Sequence, residues 1–134
     1  ADPEGSVVRY HGPVEFEQLH RAYQEADGFV FASSCENLPN TLLEAMASAL
    51  PIACSDRSVM PEVLGDAGVY FDPEDPGSIA AAMERLMQDP ALRARCAAEA
   101  RRRVEGHSWS RCAALTFAFL AEIVGDAART RTST

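Results

Sequence analysis

The sequence predicts an α/β fold in which a parallel sheet is followed by helices at the C-terminal end. Short apolar runs, each suited to one buried strand, alternate with segments of helical periodicity in the first half of the chain. The second half shows helical periodicity alone. Alternating strands and helices favour a doubly wound parallel sheet, because a crossover helix must return the chain before the next parallel strand can begin.

Four short apolar segments are predicted to be strands, and longer segments with apolar residues three or four apart are predicted to be helices. The predicted strands are residues 7–10, 28–32, 51–54 and 68–71. The predicted helices are residues 16–26, 41–49, 76–88, 90–104 and 108–128, with a further short helix that begins at Pro61. Proline suits a first helical turn, where the N–H that it lacks would have no helical partner. Ser108 suits the N-cap of the last helix.

A polar loop joins the strand at residues 28–32 to the helix at residues 41–49, and it contains Glu36. In open α/β sheets, ligands bind where such loops leave the carboxyl ends of the strands, and the following helix offers free N–H groups. Glu44 follows Glu36 after seven residues and lies on the polar side of the helix, away from Leu42 and Met46. Glu44 is therefore placed to face a ligand. Spacing alone leaves a structural role open, because the helix dipole also favours a glutamate in the first turns.

The charge distribution argues against some partners. The chain of 134 residues has a net charge of −8, and its twelve cations are all arginines. Residues 12–78 contain twelve acidic residues but only two arginines, Arg21 and Arg57. Nucleic acid is therefore not expected as a partner, because it needs a basic surface facing its phosphates. The run of arginines at residues 101–103 is expected to be a solvated helix face, and a peripheral membrane contact there stays open.

The sequence predicts neither a membrane span nor a metal site. No apolar run approaches the length that a span needs. The four cysteines lack the spacing of zinc ligands, and there is no Asp-x-Asp pair. Cysteine usage favours a reduced, cytoplasmic protein. Cys35, which has no adjacent base, is expected to pack rather than to react.

Residues 34–47 and 50–56 resemble the Glu-x7-Glu signature of the family 4 retaining glycosyltransferases. Further landmarks follow in the order of that family at residues 61–68, 71–75, 89–90 and 108–109, so the resemblance extends from residue 7 to about residue 124. Ala49 departs from the pattern, because the family usually has glycine at this helix end. If the position needs a positive φ, alanine there costs about 1 kcal/mol.

The resemblance implies the GT-B arrangement, in which two Rossmann-like domains face each other across a cleft. Residues 1–134 resemble the later part of the C-terminal, donor-binding domain, so its first two strands and the whole N-terminal domain are expected to precede them. In the strand order 3-2-1-4-5-6, residues 7–10 would be the third strand. Without the first two strands, we expect residues 7–10 to pair directly with residues 28–32, or copies to self-associate through exposed strand edges.

The resemblance further implies an enzyme that transfers a sugar, with retention of configuration, from a nucleotide-diphosphate sugar to a saccharide or lipid-linked acceptor in polysaccharide biosynthesis. The isolated chain is expected to be inactive. Two alternatives stay open: a non-catalytic nucleotide-sugar-binding or interaction module completed by another chain, and a GT-B epimerase. A phosphorylase of this fold would need a lysine for pyridoxal phosphate, and the sequence has none. No cofactor is therefore expected.

The same resemblance assigns roles to individual residues. Glu44 matches the residue that accepts hydrogen bonds from the ribose hydroxyls, which suits a carboxylate because it has two acceptor oxygens and no donor. Glu36 matches the residue at the donor sugar and is the predicted catalytic residue, although it is not expected to act as a nucleophile. The other predicted donor-binding residues are Asn37, Leu38, Asn40 and Thr41 beside the helix N-terminus, and Val14 along the base. Arg57 is either a phosphate contact or, as the sequence favours, a surface arginine.

Overall fold

The computed structural model describes residues 7–131, with side chains as far as residue 125. Three strands, β1 (Phe29–Phe31), β2 (Ile52–Ser55) and β3 (Gly68–Phe71), form one parallel sheet in the order β1-β2-β3. In the register of this sheet, Val30 lies beside Ala53 and Cys54 lies beside Tyr70. The predicted α/β class is confirmed, with a parallel sheet and C-terminal helices.

The described residues form six helices. They are α1 (Phe16–Glu25), α2 (Asn40–Ala47), α3 (Met60–Leu64), α4 (Pro76–Gln88), α5 (Pro90–Val104) and α6 (Trp109–Arg131). The bounds predicted for α4 and α5 are confirmed, because each helix has proline in its first turn and aspartate at its N-cap. The Asp75 carboxylate accepts a hydrogen bond from the Gly77 N–H at 2.8 Å, and Asp89 accepts one from Leu92 N–H at 2.9 Å.

The core lies on both faces of β2, whose four residues are all buried. Ile52 and Cys54 face one layer, which α2 and α3 supply together with Ala100 of α5. Ala53 faces the other layer, which α4 and the earlier turns of α5 cover. Successive side chains of a strand point to opposite faces, so a strand covered on both sides is apolar throughout rather than alternating.

The structure of the segment Val7–Tyr10 differs from the one predicted from the sequence. The segment was predicted to be a strand, with direct pairing to residues 28–32 as one of two alternatives, but it forms no strand, and β1 pairs with β2 alone among the described residues. The side chains of Val7, Val8 and Tyr10 are exposed. They bury too little apolar surface to offset the entropy lost when a short segment is ordered as a strand. Self-association of copies through strand edges stays a prediction.

Helix α2 ends in a Schellman motif at Ala49. The Ala49 N–H donates to Met46 O at 3.0 Å, and the Leu50 N–H donates to Ala45 O at 3.2 Å. In this motif the residue just past the helix end adopts the left-handed conformation. Ala49 occupies that position and has a φ of 54°. The condition stated for this position in the sequence analysis, a positive φ, is therefore met in this chain.

The arginines of the last turn of α5 are largely solvated, as expected, but two of them also contact neighbouring helices. Arg101 donates to the Ala47 carbonyl at the end of α2, and Arg103 donates to the Glu62 carbonyl of α3 at 3.3 Å. Arg102 pairs with Glu99 on the same helix. Cations suit the C-terminal ends of helices, where the carbonyl groups carry partial negative charge. Two of the three arginines therefore tie neighbouring helices together.

Helix α6 begins as predicted, because the Arg111 N–H donates to the Ser108 Oγ at 3.1 Å. Apolar side chains along α6 are exposed: Trp109 by 78%, Phe117 by 72% and Val124 by 69%. Among the described helices, none is both long enough and apolar enough to cross a membrane.

Candidate functional site

Three loops with polar side chains meet at the carboxyl edge of the sheet. The loop after β1 contains Glu36, the loop after β2 contains Arg57 and Ser58, and β3 is followed by Asp72. Because the strands are parallel, all three loops leave the same edge of the sheet. A ligand site was expected at this edge of the sheet.

Glu36 is held by two serines. The Ser33 Oγ donates to the carboxylate oxygen Oε1 of Glu36 at 2.8 Å. The Ser58 Oγ donates to the Glu36 carbonyl at 2.9 Å and accepts the Glu36 N–H at 3.3 Å. Ser58 adopts a φ of 54°, a conformation that non-glycine residues rarely adopt. The loop after β2 therefore holds the backbone of the loop after β1.

Glu44 is half-buried and is held from another helix. The Tyr23 hydroxyl of α1 donates to the Glu44 carboxylate oxygen Oε2 at 2.9 Å. Burial raises the pKa of Tyr23 well above its usual range, and the hydrogen bond to Glu44 and the charge of Glu44 raise it further. Because the phenol keeps its proton at neutral pH, Tyr23 acts as a hydrogen-bond donor to the carboxylate.

The N-terminus of α2 lies beside these carboxylates. Pro39 is at the N-cap, and among the described residues no side chain caps the helix. The Asn40 N–H donates to the Leu38 carbonyl at 2.9 Å, so this N–H already has an acceptor. Asn37 and Thr41 are exposed.

A groove of about 950 Å3 separates α2 from the start of α6. Three of the predicted site residues line it: Leu38, Asn40 and Glu44. The opposite wall includes His107, Trp109 and Arg111, which the sequence analysis did not assign to a site. The other predicted residues, Glu36, Asn37, Thr41 and Val14, are not among the described residues that line the groove. The structure therefore brings together only part of the predicted donor-binding set.

Arg57 faces carboxylates in this structure. One terminal guanidinium nitrogen of Arg57 lies 2.9 Å from Asp72 Oδ2, and its Nε lies 3.3 Å from Asp56 Oδ1. The pKa of Asp72 is lowered, first by a hydrogen bond from the Glu74 N–H and then by Arg57. This geometry agrees with a surface arginine.

Two further predictions concern cysteines and metals. Cys35 is exposed, so the expectation that it packs is wrong; the loop after β1 turns its side chain towards solvent. Cys54 and Cys96 are buried, and burial raises the pKa of Cys54 to about 12. Within the part of the chain that the structure describes, no group of three or more histidine, cysteine or acidic side chains is close enough to hold a metal ion.

Comparisons with known proteins give a consistent result. Residues 5–103 match the family model described as glycosyl transferases group 1. The O-antigen chain mannosyltransferase B of Escherichia coli is 36% identical over 109 residues, which cover 81% of this chain and 29% of that protein. A D-inositol 3-phosphate glycosyltransferase from Kineococcus radiotolerans is 33% identical over 135 residues, which cover 93% of this chain and 31% of that protein.

A solved structure shares the fold. Sucrose-phosphate synthase from Thermosynechococcus elongatus superimposes with a TM-score of 0.74 at 25% identity, covering 89% of this chain and 30% of that protein. The chain therefore spans about a third of the length of the proteins that it matches.

Proposed function

Because the chain belongs to the group 1 glycosyl transferase family, we propose that residues 1–134 are the later part of the C-terminal, donor-binding domain of a retaining hexosyltransferase. In this proposal, the full-length protein takes a sugar from a nucleotide-diphosphate sugar and attaches it to a saccharide or lipid-linked acceptor. The two named relatives carry mannosyltransferase and glycosyltransferase activities in their names. The resemblance stated from the Glu-x7-Glu signature is confirmed at the level of the family.

The observation that carries the proposal is the half-buried Glu44 carboxylate beside the groove. A ribose presents two neighbouring hydroxyl donors, and a carboxylate offers two acceptor oxygens with about four lone-pair directions. The Tyr23 hydroxyl engages one of these directions on Oε2. The remaining directions are sufficient for two ribose hydroxyls.

Glu36 is proposed to contact the donor sugar on its reacting face. Its carboxylate is held by Ser33 and its backbone by Ser58, so the side chain is preorganised. Preorganised polar groups stabilise charge that develops in a transition state, because they need no reorganisation during the reaction. Asn37, Leu38, Asn40 and Thr41 are proposed to surround the sugar and the pyrophosphate at the α2 N-terminus, and Val14 is proposed to lie along the base.

The pyrophosphate needs positive charge that residues 12–78 do not supply. The two arginines of this part are Arg21 and Arg57, and Arg57 is paired with acidic residues. Apart from Arg111 on the opposite wall of the groove, we assign the phosphate-binding cations to other parts of the full-length protein, and the isolated chain is proposed to be inactive. In the same proposal, the full-length protein is cytoplasmic and its acceptor is an intermediate of polysaccharide biosynthesis.

The test uses the full-length protein that contains this chain, with GDP and UDP as probes in calorimetric titrations. Glu44→Gln replaces an acceptor oxygen by an NH2 donor that faces the ribose hydroxyls, so nucleotide affinity should fall by about 1–3 kcal/mol. Glu36→Ala should lower turnover of the sugar donor and leave affinity for the bare nucleotide nearly unchanged. Glu17→Gln, at an exposed position on α1, is the matched control. Unchanged affinity in Glu44→Gln would remove Glu44 from the site, and equal losses in both measurements would make Glu36 structural.

A further inference from the structure

The contact between Tyr23 and Glu44 joins the helix before β1 to the helix after it. The hydroxyl oxygen of Tyr23 lies 2.9 Å from Glu44 Oε2, and 3.4 Å from the Thr41 carbonyl oxygen. The phenol ring is itself held by packing, because its centroid lies 5.9 Å from that of Phe29 in a tilted arrangement. Tyr23 therefore presents a donor at a fixed point beside the groove.

A glutamate side chain on a helix has three rotatable bonds, and without a partner its carboxylate samples several orientations. Binding a pair of neighbouring hydroxyls requires one orientation of the carboxylate plane. If the carboxylate became ordered only when the ligand binds, the conformational entropy lost would lower the binding affinity. A donor that already holds one carboxylate oxygen removes much of this ordering. Because one hydrogen bond occupies one of about four lone-pair directions, Tyr23 does not compete with the ligand.

We propose that Tyr23 is a positioning residue for Glu44: its hydroxyl orients the Glu44 carboxylate for the two hydroxyls of a nucleotide ribose. This inference rests on the proposed function, since it takes Glu44 as the ribose-binding group. It adds a residue from outside the Glu-x7-Glu segment to the machinery of donor binding. The high pKa of Tyr23 agrees with this role, because a phenol that keeps its proton keeps donating.

A purely structural role for Tyr23, tying α1 to α2, would make a different prediction. If the hydroxyl only stabilises the fold, its removal should affect nucleotides with and without ribose hydroxyls equally. If it orients Glu44, the loss should appear only for nucleotides that carry those hydroxyls. The informative quantity is therefore the ratio of affinities for a ribonucleotide and for its 2′,3′-dideoxy form, which is also insensitive to a loss of folded protein.

The experiment measures this ratio in the full-length protein by calorimetry, with GDP and UDP, each beside its 2′,3′-dideoxy form. Tyr23→Phe removes one oxygen and keeps the ring that packs on Phe29. We expect it to reduce the ribonucleotide-to-dideoxy affinity ratio by roughly three- to tenfold, the change that one hydrogen bond of ordinary net strength produces. The matched control is Tyr70→Phe, because the Tyr70 hydroxyl donates to the Gly65 carbonyl at 2.6 Å, away from the groove-lining residues. The control should leave the ratio unchanged.

Glu44→Gln, measured in the same way, separates the two proposals. If Glu44→Gln abolishes the preference for ribose hydroxyls and Tyr23→Phe does not change it, the inference about Tyr23 is overturned and the proposed function stands. An equal loss for both nucleotide forms in Tyr23→Phe would also overturn the inference, by assigning Tyr23 to the fold. If Glu44→Gln leaves the preference intact, the proposed role of Glu44 fails, and the inference fails with it.

Discussion

Replacing Ala49 with glycine should stabilise the protein. Ala49 occupies the left-handed position of the Schellman motif with a φ of 54°, and its side chain is exposed. The left-handed conformation costs an alanine roughly 1–2 kcal/mol, because its Cβ approaches the following carbonyl oxygen. Glycine avoids this contact but loses about 0.5–1 kcal/mol more conformational entropy on folding. The net expectation for Ala49→Gly is a gain of about 0.5–1 kcal/mol in the free energy of unfolding.

Urea unfolding measures this change, with an unchanged slope showing that the denatured state is not affected. Ala98→Gly is the matched control, since Ala98 is also exposed but lies inside α5. Glycine in a helix interior is about 1 kcal/mol less favourable than alanine, so the same substitution should have opposite signs at the two positions. A loss of stability at both positions would refute the reasoning from the positive φ.

Two other predictions concern protonation and thiol access. The pKa of Asp72 is lower in the folded protein than in the unfolded chain, where it is about 4. The charged carboxylate therefore stabilises the folded protein above about pH 4, and this contribution is lost as the pH falls through the folded pKa. In urea unfolding between pH 2 and 7, the stability difference between the parent and Asp72→Asn should therefore be largest near neutral pH and shrink below about pH 4; a constant difference would contradict the assignment. In thiol labelling of the native protein, exposed Cys35 and Cys112 should react quickly, whereas Cys54 and Cys96 should react only after unfolding. Rapid native labelling of all four would show that the buried thiols are accessible.

The sequence predicted the fold well where local chemistry marks the ends of elements. The bounds of α4 and α5 follow from the Asp-Pro steps at their starts, and β3 follows from a run of apolar residues bounded by glycine and aspartate. The prediction failed at Val7–Tyr10, because whether an apolar pattern becomes a strand depends on the packing that the rest of the fold offers it. Local pattern does not contain that information.

In the candidate site, too, residues marked by local sequence were predicted and residues brought in by packing were not. Glu36 and Glu44 were predicted because they lie in one continuous segment with a recognisable spacing. Tyr23 was assigned no role in the site, although its hydroxyl contacts Glu44 across 21 residues of sequence. Arg111 and Trp109 reach the groove only through the path of the chain after α5. Contacts between distant segments depend on the packing of helices, which periodicity does not specify.

The exposed side chains of α6 have a consequence for how stability is distributed along the chain. A strand with both faces buried, such as β2, exchanges its amide hydrogens only when the whole domain opens, whereas a helix with few buried side chains can separate at much lower free energy. Because α6 forms one wall of the groove and α2 forms the other, the width of the groove can change without disturbing the sheet. Glu44 belongs to the α2 wall, so a change in the width of the groove would move Trp109 and Arg111 relative to Glu44.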